Sequence, residues 1–414
     1  MTDKTPAVAT ATEAPYITAL VTLPPPTTGQ TTVSRCVIDL LKKQGNVRIF
    51  DWSNGSIRRG LAWKVEKACR NLLCVIYLIV WRCRLNEHLY TVANDGNGLW
   101  WNCLHICIAR MKGYSVVIHH HSFKYLHRWD LRMALLHRLA GRRAVHVVLA
   151  IEMRESFRSM YGDLATIVEV PNTILFRDVM IGLASAKDAS RLITETNVSD
   201  QVISQCTNAS VNPPAFGPIE VNSPLDGTRP LRLGHLSNLS IEKGIGRVID
   251  VFRDLRRNNR NVELHVAGPC KDAEVARIVA DCKSSDPQRV FIYGPVFGED
   301  KSEFFRHIDA FLFPSLYPTE AQPLVVLEAM LEQSPVITFA IGCIPSLIGE
   351  SGLAVSRHET TYRQEAVKTI EGWLDKPETF ALAIDKVNRN NSSLLSSSEH
   401  SVREFLSLCG MVTS

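Results

Sequence analysis

Several things are missing from this sequence, and each absence narrows the reading. Eleven cysteines are scattered along 414 residues with no CxxC pair. The odd count and the missing framework point to reduced thiols in a cytosolic protein. No apolar run is long: Leu72–Trp81, LLCVIYLIVW, is the longest. It falls well short of the roughly 20 residues needed to span a bilayer, so a buried or interfacial helix is expected there. The opening MTDKTPAVATATEAP has no apolar core of the kind a signal peptide carries. There is no GxxxxGK[ST] loop, no GxGxxG, and no DxD pair of the kind that holds a divalent cation beside a nucleotide sugar. No internal repeat is visible.

What is present is ordinary in bulk. A hydrophobic content of 45% and a charged content of 21% fit a globular chain long enough for two or three cores. The net charge of +4 says little, but its distribution says more. Between Lys42 and Arg143 there are 18 Lys or Arg against 5 acids, namely Asp51, Glu66, Glu87, Asp95 and Asp130. That half favours an anionic partner or membrane surface, and equally allows basic residues that merely solvate helices. Lys64, Lys67 and Arg70 recur every third residue and share a helix face. No nucleic-acid motif accompanies the charge, so no nucleic-acid partner is expected.

Short apolar runs alternate with helical stretches along the chain. Residues 1–15 read as a disordered start. A first domain over 16–204 has strands at 16–23, 47–52, 88–93, 114–121, 144–150 and 167–170. Residues 205–230, with NPPAFGP, NSP and DGTRP, read as a linker or insertion. The alternation restarts over 231–388, with strands near 231–236, 262–267, 289–293, 310–313 and 335–340. The tail, 389–414, reads as a polar loop (NRNNSSLLSSSE, 388–399) followed by a last helix at 402–409. Strict alternation predicts parallel sheets covered on both faces, in two doubly wound α/β domains facing across a cleft. Ligands of such sheets lie beyond the carboxyl ends of the strands.

The stretch Asp309–Met330, DAFLFPSLYPTEAQPLVVLEAM, carries most chemistry. A strand leads through a turn to a helix, with Pro323 suited to its first position. Glu320 precedes the helix, and Glu328 sits inside it, about 7.5 Å along the axis from Pro323. Free N–H groups at the helix start attract phosphate oxygens, and the acids accept sugar hydroxyls. Equally, Glu320 could only cap the helix and Glu328 only solvate it; spacing alone leaves the two readings even. Lys243, in LSNLSIEKG, could neutralise a phosphate, although a solvated lysine is the ordinary case. Gly29 in PPPTTGQTT would let a ligand approach the backbone, or simply make a turn. In His119–Phe123, HHHSF, strand alternation turns His119 and His121 one way and His120 the other. One strand cannot aim adjacent rings at one ion, so the set does not read as a metal site. Gly342 and Pro345 mark a further turn that could face the cleft.

Glu320-x7-Glu328, followed by PVI (335–337), Gly342-x-x-Pro345 and SGLAV (351–355), resembles the donor half of family 4 of the retaining glycosyltransferases, of the bacterial polysaccharide type. The likeness covers about 230–356 and stays collinear in the first half through PPPTTGQ, His121 and Pro171-Asn172. It implies the GT-B fold and a hexosyl transfer that needs no metal or cofactor. His121 and Glu320 would stand at the reacting centre. Gly29, Asn238, Lys243, Leu324, Val325 and Glu328 would bind the donor, Glu328 through the ribose and Lys243 through the diphosphate. Two departures stand out. Ser237-Asn238 replaces the family's frequent Gly-Arg, and Glu320-Ala321-Gln322-Pro323 replaces Glu-Gly-Phe-Gly. The expected partners are a nucleotide-sugar donor, with UDP as the default, a glycan or lipid-linked acceptor, and an anionic membrane surface. The expected location is cytoplasmic, peripheral at the inner membrane face. A sugar-nucleotide epimerase of the same architecture and a non-catalytic nucleotide-sugar binder are the alternatives.

Overall fold

The computed structural model describes residues 16–25, 28–53, 60–84, 86–173, 229–355 and 359–411. The expected disordered start, most of the expected linker and residues 174–204 lie outside the described residues.

Two six-stranded parallel sheets organise the chain. In the first, the order is β2 (Asn46–Asp51), β1 (Tyr16–Val21), β3 (His88–Val92), β4 (Ser115–His119), β5 (Val145–Val148) and β6 (Thr166–Glu169). In the second it is β12 (Leu353–Val355), β11 (Val336–Phe339), β10 (Ala310–Phe313), β7 (Leu231–Leu236), β8 (Val262–Ala267) and β9 (Val290–Gly294). Central strands such as AFLF and VITF are buried at every position, because helices cover both faces of each sheet. The alternation read from the sequence is therefore present, with strand ends moved by a residue or two, and the short edge strand β12 is added to the five expected in the second half.

Helices α1 (Gly29–Gln44), α2 (Leu61–Val80), α3 (Gly98–Met111), α4 (Lys124–His127), α5 (Leu131–Ala140) and α6 (Ile151–Tyr161) belong to the first sheet. Helices α7 (Ile245–Arg257), α8 (Ala273–Ser285), α9 (Gly298–His307), α10 (Leu324–Leu331), α11 (Ile344–Ile348) and α12 (Glu359–Asp375) belong to the second. α7 shows why such segments fold as they do. Ile245, Val248, Ile249, Phe252 and Leu255 recur at helical spacing and are buried, while Arg253, Arg256 and Arg257 keep to the other side. Burying a side chain such as Phe252 is worth about 1.5–3 kcal/mol.

The strand order fixes where loops converge. In the second sheet the order reverses between β7 and β10, so the loops after these strands leave in opposite directions and open a crevice. In the first sheet the reversal lies between β1 and β3.

The tail corrects the sequence reading. Residues 388–399 are not a loop; they lie inside α13 (Pro377–Leu408), a continuous helix of 32 residues. Asn and Ser are weak helix formers, but here several of the polar side chains find partners. Asn390 Nδ2 donates to Leu347 O at 2.9 Å, and Asn391 Nδ2 to Met330 O at 2.8 Å. Ser392 and Ser396 donate to carbonyls one turn back, at 3.1 and 3.2 Å. Tertiary contacts override propensity. The helix then crosses between domains. Phe380 and Val387 sit in the second core, and Val402, Phe405 and Leu406 in the first. Pro323 is also displaced by one step: it is the N-cap of α10, whose first helical residue is Leu324.

Candidate functional site

The loops after β7 and β10 build one constellation. After β7, Ser237 turns inward, its hydroxyl 3.0 Å from His235 Nε2, while Asn238 is exposed. Gly244 then caps α7 with φ +90°, and a Cβ there would lie 2.3 Å from Pro314 O. Only glycine lets the two loop backbones touch. Leu316 N donates to Glu242 O at 2.8 Å and closes the contact.

This close approach sets Lys243 against Glu320. Lys243 Nζ lies 2.5 Å from Glu320 Oε2, which also accepts from Ser315 Oγ at 2.9 Å. The ammonium stands 4.6 Å from the centre of the Tyr317 ring. Removing one member of a buried pair costs about 3–5 kcal/mol. This pair, at 20% and 10% exposure, falls toward the low end. Glu320 is therefore not a helix cap: no side chain caps α10.

Helix α10 begins four residues after Glu320, and its first turn holds no acidic residue and no side-chain cap. The N–H groups of Leu324 and Val325 thus form an electropositive end suited to phosphate oxygens. One turn further, Glu328 meets Lys301 of α9 at 2.6 Å. A carboxylate has about four acceptor positions, so one ammonium leaves room for hydroxyls. Lys301 was missed by the sequence reading. It lies 27 residues away on another helix, and nothing in EDKSE marks it. Gly342 supports the same loop from behind: its φ is +56°, and a Cβ would lie 2.4 Å from Glu320 O. Cys343 N donates to Ala321 O at 2.8 Å, and Pro345 is the second residue of the short α11.

On the first sheet, Gly29 is the first residue of α1. Thr28 caps this helix, accepting from Thr31 N at 3.2 Å while Thr31 Oγ1 returns the bond. Among the described residues nothing lies within 4 Å of a Cβ built at Gly29. His121 follows β4 with its ring 4.1 Å from that of His119. His120 turns the opposite way, to Tyr125 Oη at 2.9 Å and His146 Nδ1 at 2.8 Å, as strand alternation requires. Burial pushes His121 down to about 4, so its imidazole is neutral near pH 7. Its Nε2 has no hydrogen-bond partner among the described residues.

The two halves are held against each other partly through Ala321 and Gln322, two of the residues that depart from the family pattern. Asn172 N donates to Gln322 Oε1 at 2.5 Å, and Asn172 Nδ2 to Gln322 O at 2.9 Å. Ala321 and Cys343 share a buried cluster with Ala93, Phe123 and Ala150 of the first domain. Glu152 accepts from Ser346 N at 2.9 Å. The structure thus brings together Lys243 and Glu320, four residues before the start of α10, and Glu328 follows a turn into that helix. Gly29 and His121 stand at the carboxyl edge of the opposite sheet.

Residues 230–372 match the family model described as Glycosyl transferases group 1. Solved structures similar to the chain include GT-B glycosyltransferases, and the fold of this chain is GT-B. HepE of Anabaena, in complex with UDP-glucose, superposes with a TM-score of 0.58 at 14% identity, over 94% of this chain and 99% of that one. Sucrose-phosphate synthase from Thermosynechococcus elongatus gives a TM-score of 0.64 at 14% identity, over 95% and 98%. TarM of S. aureus, in complex with fondaparinux, alpha-GlcNAc-glycerol and UDP, gives 0.53 at 16% identity; it covers 82% of this chain, which spans 59% of TarM. None of the curated proteins compared matches the chain.

Proposed function

We propose that this chain is a retaining glycosyltransferase moving a hexose from a nucleotide sugar to a hydroxyl of a glycan or lipid-linked acceptor. The observation that carries the proposal is the convergence of Lys243, Glu320 and the uncapped start of α10 at the β7/β10 reversal. UDP is the default nucleotide, in keeping with the UDP found in HepE and TarM.

In this reading the diphosphate lies on the N–H groups of Leu324 and Val325 and competes with Glu320 for Lys243. Asn238 donates a hydrogen bond where the family often has a guanidinium. Glu328, oriented by Lys301, accepts from the ribose hydroxyls. Glu320, released from Lys243, accepts from a hydroxyl of the transferred sugar. The neutral His121 is an uncharged hydrogen-bond partner for the sugar, and Gly29 leaves room where donor and acceptor meet. Reaction occurs on one face: the anomeric carbon–phosphate bond breaks as the acceptor oxygen bonds the same carbon. The acceptor proton passes to a phosphate oxygen. The positive charge comes from Lys243 and the helix end, so the proposal needs no metal.

A thermal-shift screen of UDP-, GDP- and ADP-sugars identifies the donor, since specific binding stabilises the fold. Transfer assays then compare wild type with Lys243→Ala and Glu328→Ala. Unchanged rate and donor affinity in both variants would refute the site. Product formed without any acceptor would instead favour epimerisation, and tight binding without turnover a non-catalytic binder.

A further inference from the structure

A cavity of about 290 Å³ opens between α5 and the C-terminal end of α6 in the first domain. Its walls are apolar, with Leu131, Ala134 and Leu135 from α5 and Met160 and Tyr161 from α6. The half-exposed ring of Trp129 lines it as well. Two nitrogen-bearing side chains complete the lining. Arg138 is exposed and has no acidic partner among the described residues. His137 is 2% exposed, and its Nε2 is shielded from water with no hydrogen-bond partner among the described residues. A buried polar atom left unpaired is costly, and this one belongs to the floor of a cavity.

The hydrogen-bond chain behind His137 decides whether Nε2 carries a proton. His137 Nδ1 lies 3.0 Å from His146 Nε2, His146 Nδ1 lies 2.8 Å from His120 Nε2, and His120 Nδ1 lies 2.9 Å from Tyr125 Oη. Burial lowers all three rings, so each is neutral near pH 7 and carries one N–H. Asp163 opposes this at His137, but it is exposed and paired with Arg158. Tyr125 is buried, and its hydroxyl has no acceptor besides His120 among the described residues. The phenol proton therefore goes to His120 Nδ1. Each ring passes its own N–H to the next, and the last N–H stands at His137 Nε2. The reverse direction would strand the Tyr125 proton inside the domain and still leave Nε2 unpaired.

The cavity thus offers an apolar bed, an N–H at its floor and a guanidinium at its rim. A dry apolar cavity of about 150 Å³ takes a benzene ring, so this larger one takes a ring with a short polar arm. No carboxylate or amide side chain lines it, so the hydroxyls of a sugar would find few acceptors. A carboxylate, by contrast, accepts from both donors. We propose that this cavity binds a small aromatic monocarboxylate, its ring against Trp129 and Tyr161 and its carboxylate shared by Arg138 and His137. Occupation would fix the direction of the chain as far as His120, the neighbour of His121. The site is built from the first domain alone and does not depend on the reaction proposed above.

The test is calorimetric titration of the full chain with benzoate as the probe. Benzyl alcohol, acetate and glucuronate are titrated alongside: the first lacks the charge, the second lacks the ring, and the third is a sugar acid. Benzoate should saturate one site and bind about tenfold or more tighter than each of the others. Arg138→Gln should weaken benzoate about tenfold and leave benzyl alcohol unchanged. That side chain is exposed, so the variant should keep the wild-type melting temperature. Ala134→Phe, which fills the cavity, should abolish binding of both. In histidine-labelled protein, nitrogen NMR should show a protonated His137 Nε2 whose signal moves on adding benzoate. Absence of saturable benzoate binding overturns the proposal, as does wild-type benzoate affinity in both variants. Glucuronate binding tighter than benzoate overturns the aromatic class. A His137 Nε2 without a proton overturns the assigned direction of the chain, and with it the carboxylate contact at the floor.

Discussion

The two domains share an architecture and differ in how they treat polar and apolar side chains. The second sheet is wrapped in one continuous core from Leu231 to Val387. The first divides its interior among three smaller clusters, places a row of histidines inside, and leaves apolar helix faces outside. His137, His146 and His120 are linked ring to ring at 3.0 and 2.8 Å, and Tyr125 closes the chain. Such a chain breaks once two neighbouring rings are charged, because two N–H groups then face each other. The lesson is that matched topology does not imply matched robustness: burial also holds His235 and His307 of the donor-side domain down to about 4, but its partner links three buried rings to one another, so acid charges more of its interior.

Acidification is the largest expected break in that comparison. Burial holds His105 and His121 down to about 4 and His120 to about 3, against an ordinary 6.5. Because these folded values are depressed, the unfolded chain takes up protons first. Their contribution is complete above about pH 6.5 and is lost as pH falls through about 4. Six of the seven tryptophans (52, 63, 81, 100, 101 and 129) lie in the first domain, so fluorescence reports on it. An acid transition between pH 6.5 and 4 should precede loss of helical signal from the second domain. Simultaneous loss of both would contradict the asymmetry.

Next in size is Phe405→Ala. Phe405 is in the last helix yet packs edge-on to Tyr90 of β3 at 6.3 Å. Its loss should cost the first domain about 3–5 kcal/mol, read as an earlier urea transition by tryptophan fluorescence. Phe252→Ala, in α7, should spare that transition; if it moves as far, the cores are not separate. For catalysis, Lys243→Ala should lower kcat/KM about 10²- to 10³-fold, the scale of one preorganised electrostatic contact. A loss under fivefold would leave Lys243 as structure only. The smallest effect is expected from Gln322→Ala, which removes the acceptor for Asn172 N and costs about 1–2 kcal/mol. Amide exchange at Asn172 should quicken about tenfold; unchanged exchange would mean the domains are held without it.

Much of this was legible in the sequence, and the reasons differ by element. Strands such as Phe311–Phe313 are legible because burial on both faces leaves only apolar residues. The opposite turns of His120 and His121 follow from strand alternation alone. Lys243 and Glu320 could be singled out from their neighbours, but their mutual contact could not, because 77 residues and a strand reversal separate them. Lys301 carries no local signal at all. The polar run 388–399 misled because its helix depends on Leu347 and Met330 carbonyls, which propensity does not see. Gln322 and Asn172 meet across 150 residues, so only the assembled domains reveal the latch.

Helix α13 also fixes an order of assembly. Val402, Phe405, Leu406 and Cys409 complete the interior of a domain whose first strand begins at Tyr16. During synthesis, that domain must wait, with one flank uncovered, while the whole second domain is made. The half that is translated first is thus the last to be finished. A chain stopped at residue 375 should retain a second core that lacks Phe380 and Val387, and a first that binds hydrophobic dye.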